Sequence, residues 1–204
     1  MLAVAPTIRR VTAADVPALT RVLARAYSDD PVAVWACRSD ALRPVVLERL
    51  YAARLRQALI HREIWTTVEL SSVAVWVPSD DGRAGLAREA VLARHFLHPR
   101  LAARAPLLAA GVITIKRRRP RASRHWYLSL LGTDPVAQGQ GLGSAVLQPV
   151  LERSDAEGIG IYLESSKERN LGFYARHGFR MTNAFRLPRG PLMWAMWREP
   201  AGER

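Results

Sequence analysis

Gln138-Gly139-Gln140-Gly141-Leu142-Gly143-Ser144 stands between a β-rich run, His125 to Thr133, and a helical pattern that closes near Gly158. Glycines at a helix start leave bare backbone N–H groups beside the positive end of the helix dipole, where an anion is favoured. The missing β-carbons let the chain come close to phosphate oxygens and take positive φ angles. The segment therefore reads as a phosphate cradle, with a glycine-rich turn that binds nothing as the alternative. A dinucleotide fingerprint would want glycine at position 144, which is Ser144, and a P-loop would end in Gly-Lys-Ser. Neither fits, and the loop comes late in a mixed sequence, whereas the dinucleotide motif belongs near the first strand of a parallel unit.

Working outward, Thr7 to Val11 reads as a strand, and Thr12 with Asp15 resembles a capping box opening a helix that Asp29, Asp30 and Pro31 stop. A second helix runs from Asp40, with Leu47, Tyr51, Leu55 and Leu59 at four-residue steps. Glu63 to Val68 and Ser72 to Val77 are β-rich, and the second is apolar enough for a central strand. Helical patterns follow from Gly85 to Leu97 and from Leu101 to Ile115, then a basic run, Lys116 to Arg121, read as a loop around Pro120. Beyond the glycine loop, Pro149 sits inside a helix and should bend or break it. Gly160 to Glu164 is a strand, Ser166 to His177 a short helix capped by Gly178, and Phe179 to Phe185 and Leu192 to Trp197 two final strands.

Gln138-x-x-Gly141-x-Gly143 matches the (Gln/Arg)-x-x-Gly-x-(Gly/Ala) signature of the GCN5-related N-acetyltransferase (GNAT) superfamily. Asn170 with Phe173, Tyr174, Gly178 and Phe179 matches that superfamily's later Asn…Tyr-x-x-x-Gly-Phe element. Two motifs in the right order make the resemblance specific. Within the superfamily, Trp126 to Trp197 is similar to the puromycin N-acetyltransferases, notably in GlnGly-x-GlyLeuGlySerAlaVal, AsnLeu-x-PheTyr and the closing GlyPro. The resemblance implies an α/β (α+β) fold: a mixed, mostly antiparallel central sheet with a splayed strand pair, flanked by helices on both faces. Residues 1–200 would form a single domain, with 1–36 the first strand and helix, 37–124 a variable acceptor-side region, and 125–200 the acetyl-CoA-binding and catalytic half.

The implied reaction moves an acetyl group from acetyl-CoA to a primary amine of a small molecule, such as an aminonucleoside or another amine drug. A protein or peptide acceptor, and a non-catalytic coenzyme A binder or nucleic-acid-associated protein, are the competing classes. Leu131 and Thr133 would offer backbone hydrogen bonds to the pantetheine arm and the carbonyl oxygen. Gln138, Gly139, Gln140, Gly141, Leu142, Gly143 and Ser144 would hold the pyrophosphate, with Asn170 also on the coenzyme side. Gln140 stands where relatives usually carry lysine or arginine, and the basic run could supply the missing charge. An alkyl amine is almost entirely protonated at neutral pH, so a base is wanted. Glu164, at the carboxyl end of its strand, is the candidate, directly or through water; the competing reading is a strand-end carboxylate paired with an arginine. Tyr174 would be the general acid facing the sulfur. A tyrosine near 10 is a weaker acid than a thiol near 8.5, so full transfer is uphill by about 2 kcal/mol, and donation of a hydrogen bond to the developing thiolate is the milder form of that role.

Composition narrows the classes further. A hydrophobic fraction of 49% with 24% charged residues is that of a globular chain. Net charge is +12, almost all from arginine, and Lys116 and Lys167 are the only lysines. Arginines scattered through every element argue against the contiguous track that nucleic acid needs. The one cysteine, Cys37, fits a reducing compartment, and the amino-terminal ten residues lack the form of a signal peptide. Ala105 to Ile115 falls well short of the roughly 20 residues that span a bilayer. A cytoplasmic enzyme with no membrane partner is expected, and a homodimer is left open. His95 and His98 lack acidic or cysteine companions, so no metal is expected.

Overall fold

The structure is a computed structural model that describes residues 6–61, 63–79, 99–120 and 124–203. Seven strands form one sheet: β1 (Ile8–Arg10), β2 (Ile64–Thr67), β3 (Ser72–Pro78), β4 (His125–Thr133), β5 (Gly160–Ser165), β6 (Arg180–Arg186) and β7 (Leu192–Arg198). Their order is β1-β2-β3-β4-β5-β7-β6. Every neighbouring pair is antiparallel except β4 and β5, which are parallel. The mixed, mostly antiparallel sheet expected from the sequence is present.

Alternation along β3 assigns the two faces. Val73 and Val75 pack with Leu19 and Leu23 of α1 (Val16–Ala26) and Leu47, Tyr51 and Leu55 of α3 (Arg43–Ala58). Ala74 and Trp76 pack on the other side with Val146, Leu147, Val150 and Leu151 of α5 (Leu142–Glu157). On the α1 side, α2 (Pro31–Ala36) and α4 (Ala105–Arg118) supply Trp35 and Ile115 to a third cluster around Tyr162 and Phe185. The short α6 (Leu171–Arg176) joins α5. Helices therefore cover both faces.

The decisive local feature lies in β4. Leu128 belongs to the α5 side and Leu130 to the α1 side, although residues two apart in a strand share a face. A bulge explains the switch: Trp76 pairs with Leu128 and Val75 with Leu130, leaving Ser129 opposite nothing. Parallel pairing with β5 runs from His125↔Gly160 to Leu128↔Leu163 and stops at that bulge. Beyond it β4 stays with β3 as far as Thr133↔Ser72, while Glu164 and Ser165 stay with β7. The two strands part there, which is the expected splay.

Two local expectations change, and a third is narrowed. Asp30 and Pro31 do not only stop α1; they start α2, where Asp30 caps the Val32 and Ala33 N–H groups at 2.9 and 3.3 Å and Pro31 sits in the first turn. The basic run is not a loop: Lys116, Arg117 and Arg118 form the last turn of α4 and Arg119 is its cap, where cations complement the helix dipole. Helix α5 continues through Pro149 without a break and ends at left-handed Gly158, φ 65°. The 85–97 helical pattern, His95, His98 and Arg121 lie outside the described residues.

Among the described glycines Gly160 is the most tightly enclosed: a Cβ there would stand 2.1 Å from Trp197 Cζ2. Gly160→Ala is therefore expected to destabilise the fold by about 1–3 kcal/mol through overpacking, read as a lower urea midpoint. An unchanged midpoint would mean that Trp197 has room to move.

Candidate active site

The parting of β4 and β5 opens a cleft of about 490 Å³. From β4 and the loop after it, Leu131, Thr133, Gln138, Gly139, Gly141, Leu142, Gly143 and Ser144 line the cleft. Glu164 enters from the end of β5, and Asn170 and Tyr174 from the segment beyond. Of the residues singled out in the sequence, Gln140 alone is not part of the lining. None of the described residues of 37–124 lines it either; the α1 side is contributed by Ala26, Tyr27 and Asp30.

The glycine loop has the backbone an anion site needs. Gly139 and Gly141 are left-handed, φ 79° and 78°, with open space where a Cβ would be. Gly141 is the cap of α5, so the N–H groups of the first turn have no carbonyl one turn earlier to bond. Gly143 lies close under Phe173, where a Cβ would meet ring carbon at 3.5 Å. The loop is tied to α6 by Ser144 Oγ and His177 Nε2, 2.9 Å apart. The cations lining the cleft are Lys167, Arg169 and Arg176, not the basic run of α4. Lys167 and Arg169 both pair with Asp29, at 2.5 and 2.9 Å, and Arg176 makes no hydrogen bond or ion pair among the described residues.

Burial, then the charges of Arg176 and Arg198, hold the His177 imidazole below its ordinary value. The unfolded chain thus takes up this proton at higher pH than the folded chain does. The stability contributed is complete above the unfolded value of about 6.5 and is lost as pH falls toward the folded value. The melting temperature is expected to drop on acidification from pH 7 to 5.5 more in the wild type than in His177→Gln, which can still bond Ser144. Equal drops would remove His177 from the link.

The backbone groups of β4 that face the splay already have partners. Tyr27 Oη donates to the Leu131 carbonyl at 3.0 Å and accepts from the Leu131 N–H at 3.3 Å, and Gln138 Nε2 donates to the Thr133 carbonyl at 3.1 Å. Side chains therefore hold the places the sequence reading gave to a bound ligand. Burial pushes the Tyr27 phenol up to about 12, with the Asp30 carboxylate adding to the effect.

The Glu164 side chain is 5% exposed, and Arg119 Nε donates to its Oε1 at 3.1 Å. The same guanidinium donates to Tyr127 Oη at 2.7 Å and lies over the Tyr127 ring, 4.0 Å from its centre. Arg119, at the end of the basic run, thus holds a strand-end carboxylate. Tyr174, 7% exposed, packs between Phe173 and Phe179. Burial first, then Tyr27 and Asp30, push its phenol well above the ordinary range.

Asp30 and Ser166 were not singled out in the sequence. Ser166 Oγ donates to Asp30 Oδ2 at 2.5 Å, across 136 residues, inside the cleft. Only the Asp30-Pro31 cap signature hinted at Asp30. Elsewhere the arginines are dispersed in ion pairs such as Arg9–Asp15, Arg10–Glu63 and Arg198–Asp155. Among the described residues no group of three or more His, Cys, Asp or Glu could hold a metal ion, and no helix is long and apolar enough to cross a membrane.

A splayed parallel pair, with a glycine-capped helix after its first strand and a tyrosine-bearing helix after its second, is the GNAT acetyltransferase fold. Residues 84–179 match the family model described as Acetyltransferase (GNAT) family. The chain is similar to an uncharacterized N-acetyltransferase of Schizosaccharomyces pombe, 25% identical over 214 residues, 96% of this chain and 84% of that one. Among solved structures it is similar to the histone acetyltransferase HPA2 and related acetyltransferase of Corynebacterium glutamicum, with a TM-score of 0.67 and 24% identity over 97% of this chain and 98% of that one. It also resembles a polyamine N acetyltransferase of Drosophila melanogaster, with a TM-score of 0.57 and 16% identity over 96% of this chain and 100% of that one. The family match, over just under half of the chain, and the fold both support the GNAT superfamily for this chain.

Proposed function

We propose that this enzyme transfers an acetyl group from acetyl-CoA to the primary amine of a small molecule. The observation that carries the reading is the convergence of an anion-type loop, a parted strand pair and Tyr174 on one cleft. In this reading the N–H groups of the 138–144 loop and the first turn of α5 hold the pyrophosphate, and Asn170 lies on the same side. Arg176 supplies the charge that Gln140 does not. The backbone of Leu131 and Thr133 takes the pantetheine arm and the carbonyl oxygen once Tyr27 and Gln138 release it. When bound, the coenzyme supplies an activated acyl carbon.

Tyr174 donates a hydrogen bond to the sulfur as negative charge develops there. Its raised phenol holds the proton tightly, which suits a donor better than an acid that gives the proton away. Glu164, the base expected from the sequence, would have to take up a proton at a carboxylate already paired with Arg119; we assign it the task of fixing Arg119 and Tyr127 behind the acceptor.

A small amine is favoured by the similarity of Trp126–Trp197 to the puromycin N-acetyltransferases, and by the Drosophila structure, named for the formation of N-acetylagmatine. Calorimetry tests the coenzyme half. Acetyl-CoA should bind, and S-acetylpantetheine, which lacks the nucleotide and its phosphates, should not bind at the same concentration. Equal binding of the two would overturn the placement of phosphates at the loop.

A further inference from the structure

The glycine loop is tied to the opposite side of the cleft through one titratable group. Ser144, in the first turn of α5 and on the cleft wall, has its Oγ 2.9 Å from Nε2 of His177, the residue that caps α6. The backbone and ring of His177 are held in place. Arg198 Nε donates to its carbonyl at 3.0 Å, and its own N–H donates to the Tyr174 carbonyl at 3.0 Å. Its ring stands 4.9 Å from that of Phe173, which also covers Gly143 of the loop. Its Nδ1 makes no hydrogen bond among the described residues, so the place of the imidazole proton is set at the Ser144 end.

A serine hydroxyl has one proton to give. When Nε2 is bare that proton goes to His177, and Ser144 turns only lone pairs toward the cleft, which repel a phosphate oxygen. When Nε2 carries a proton it donates to Oγ, and the hydroxyl proton is free for the phosphate. Only part of the neutral imidazole has that form, whereas all of the imidazolium does, and the imidazolium adds a positive charge. Resting on the acetyltransferase reading above, we infer that His177 is a positioning residue for the coenzyme: a proton on Nε2 aims the Ser144 hydroxyl at the pyrophosphate, and coenzyme binding draws a proton from solvent onto the imidazole.

The charges around the ring set the direction of this coupling. Arg176 faces it from its own helix and Arg198 from β7, and both disfavour the imidazolium after burial has done so first. Arg198 is already matched by Asp155 of α5 through two contacts of 2.7 Å. Arg176 lines the cleft with no partner among the described residues, and the phosphates placed there neutralise it. The other neighbours, Phe173 and Ser144, carry no charge. Bound phosphates therefore cancel one cation's repulsion and add their own attraction, so His177 holds its proton more tightly in the complex than in the free protein. By linkage the coenzyme then binds more tightly as pH falls. That gain is fully present below the value His177 has in the free protein, and it is lost as pH rises through the value it has in the complex.

Calorimetry with acetyl-CoA alone, in the absence of any acceptor, tests this in wild type and His177→Gln at each pH. Glutamine can hydrogen-bond Ser144 but takes up no proton, and the comparison cancels the coenzyme's own 3′-phosphate, which titrates near pH 6. From pH 8 to pH 5 the affinity of the wild type relative to His177→Gln should rise about tenfold. Ser144→Ala should bind about tenfold more weakly than wild type at pH 5. In wild-type protein followed by NMR, with His177 assigned through the backbone, its imidazole should titrate at higher pH when acetyl-CoA is bound. A relative affinity that does not change with pH, wild-type affinity in Ser144→Ala, or a His177 titration that the coenzyme leaves in place overturns the inference and leaves the loop as the phosphate site. If His177→Gln does not fold, the wild-type titration decides. Failure of the wild type to bind acetyl-CoA at any pH overturns the acetyltransferase reading, and this inference with it.

Discussion

Gly141→Val is expected to weaken acetyl-CoA binding by about 10²- to 10⁴-fold while leaving the chain folded. Gly141 holds φ 78° at the cap of α5, a conformation that a β-branched residue essentially never takes. Valine would therefore turn the peptide planes on either side of position 141 and re-aim the N–H groups of the first turn. Loss of two hydrogen bonds to a charged phosphate, at about 1.5–3 kcal/mol each, gives that range. No atom lies within 4 Å of a Cβ built at 141, so steric crowding inside the protein is not the cause. Gly141→Asn separates conformation from bulk, since asparagine tolerates the left-handed region, and it should lose less affinity than valine. Wild-type affinity in a folded Gly141→Val protein, measured by calorimetry, would move the phosphates elsewhere.

Tyr174→Phe is expected to lower turnover about 30- to 1,000-fold, equivalent to about 2–4 kcal/mol of transition-state stabilisation. The ring stays packed between Phe173 and Phe179, so folding and coenzyme affinity should barely change. The hydrogen bond strengthens only as the carbon–sulfur bond breaks, which puts the loss in kcat. A less basic acceptor should leave the Tyr174→Phe defect in place. Full turnover of Tyr174→Phe with saturating acceptor and chemistry rate-limiting would make water the proton source.

What the sequence disclosed was what is local in it. The 138–144 loop and the Asn170 to Phe179 element each carry their geometry within a few residues: positive φ where glycines stand at 139, 141 and 178, and a helix that begins at Leu142. The Ser129 bulge was not legible, because Leu128-Ser129-Leu130-Leu131 offers apolar residues to either face in either register. Arg119–Glu164, Ser144–His177 and Asp30–Ser166 join residues 45, 33 and 136 positions apart, and spacing along a chain does not encode such meetings. The Asp30-Pro31 pair was ambiguous for a physical reason. The same residues that end one helix provide the cap and first turn of the next.

Acetyl transfer itself is tested most directly by following thiol release from acetyl-CoA in the presence of the amine panel, with the amine recovered and weighed by mass spectrometry. One thiol released for each amine that gains one acetyl group, with both lost together in Tyr174→Phe and Gly141→Val, is the expected result. Thiol release that no amine accelerates, or an acceptor acetylated equally well by Gly141→Val, would contradict an acetyltransferase working in this cleft.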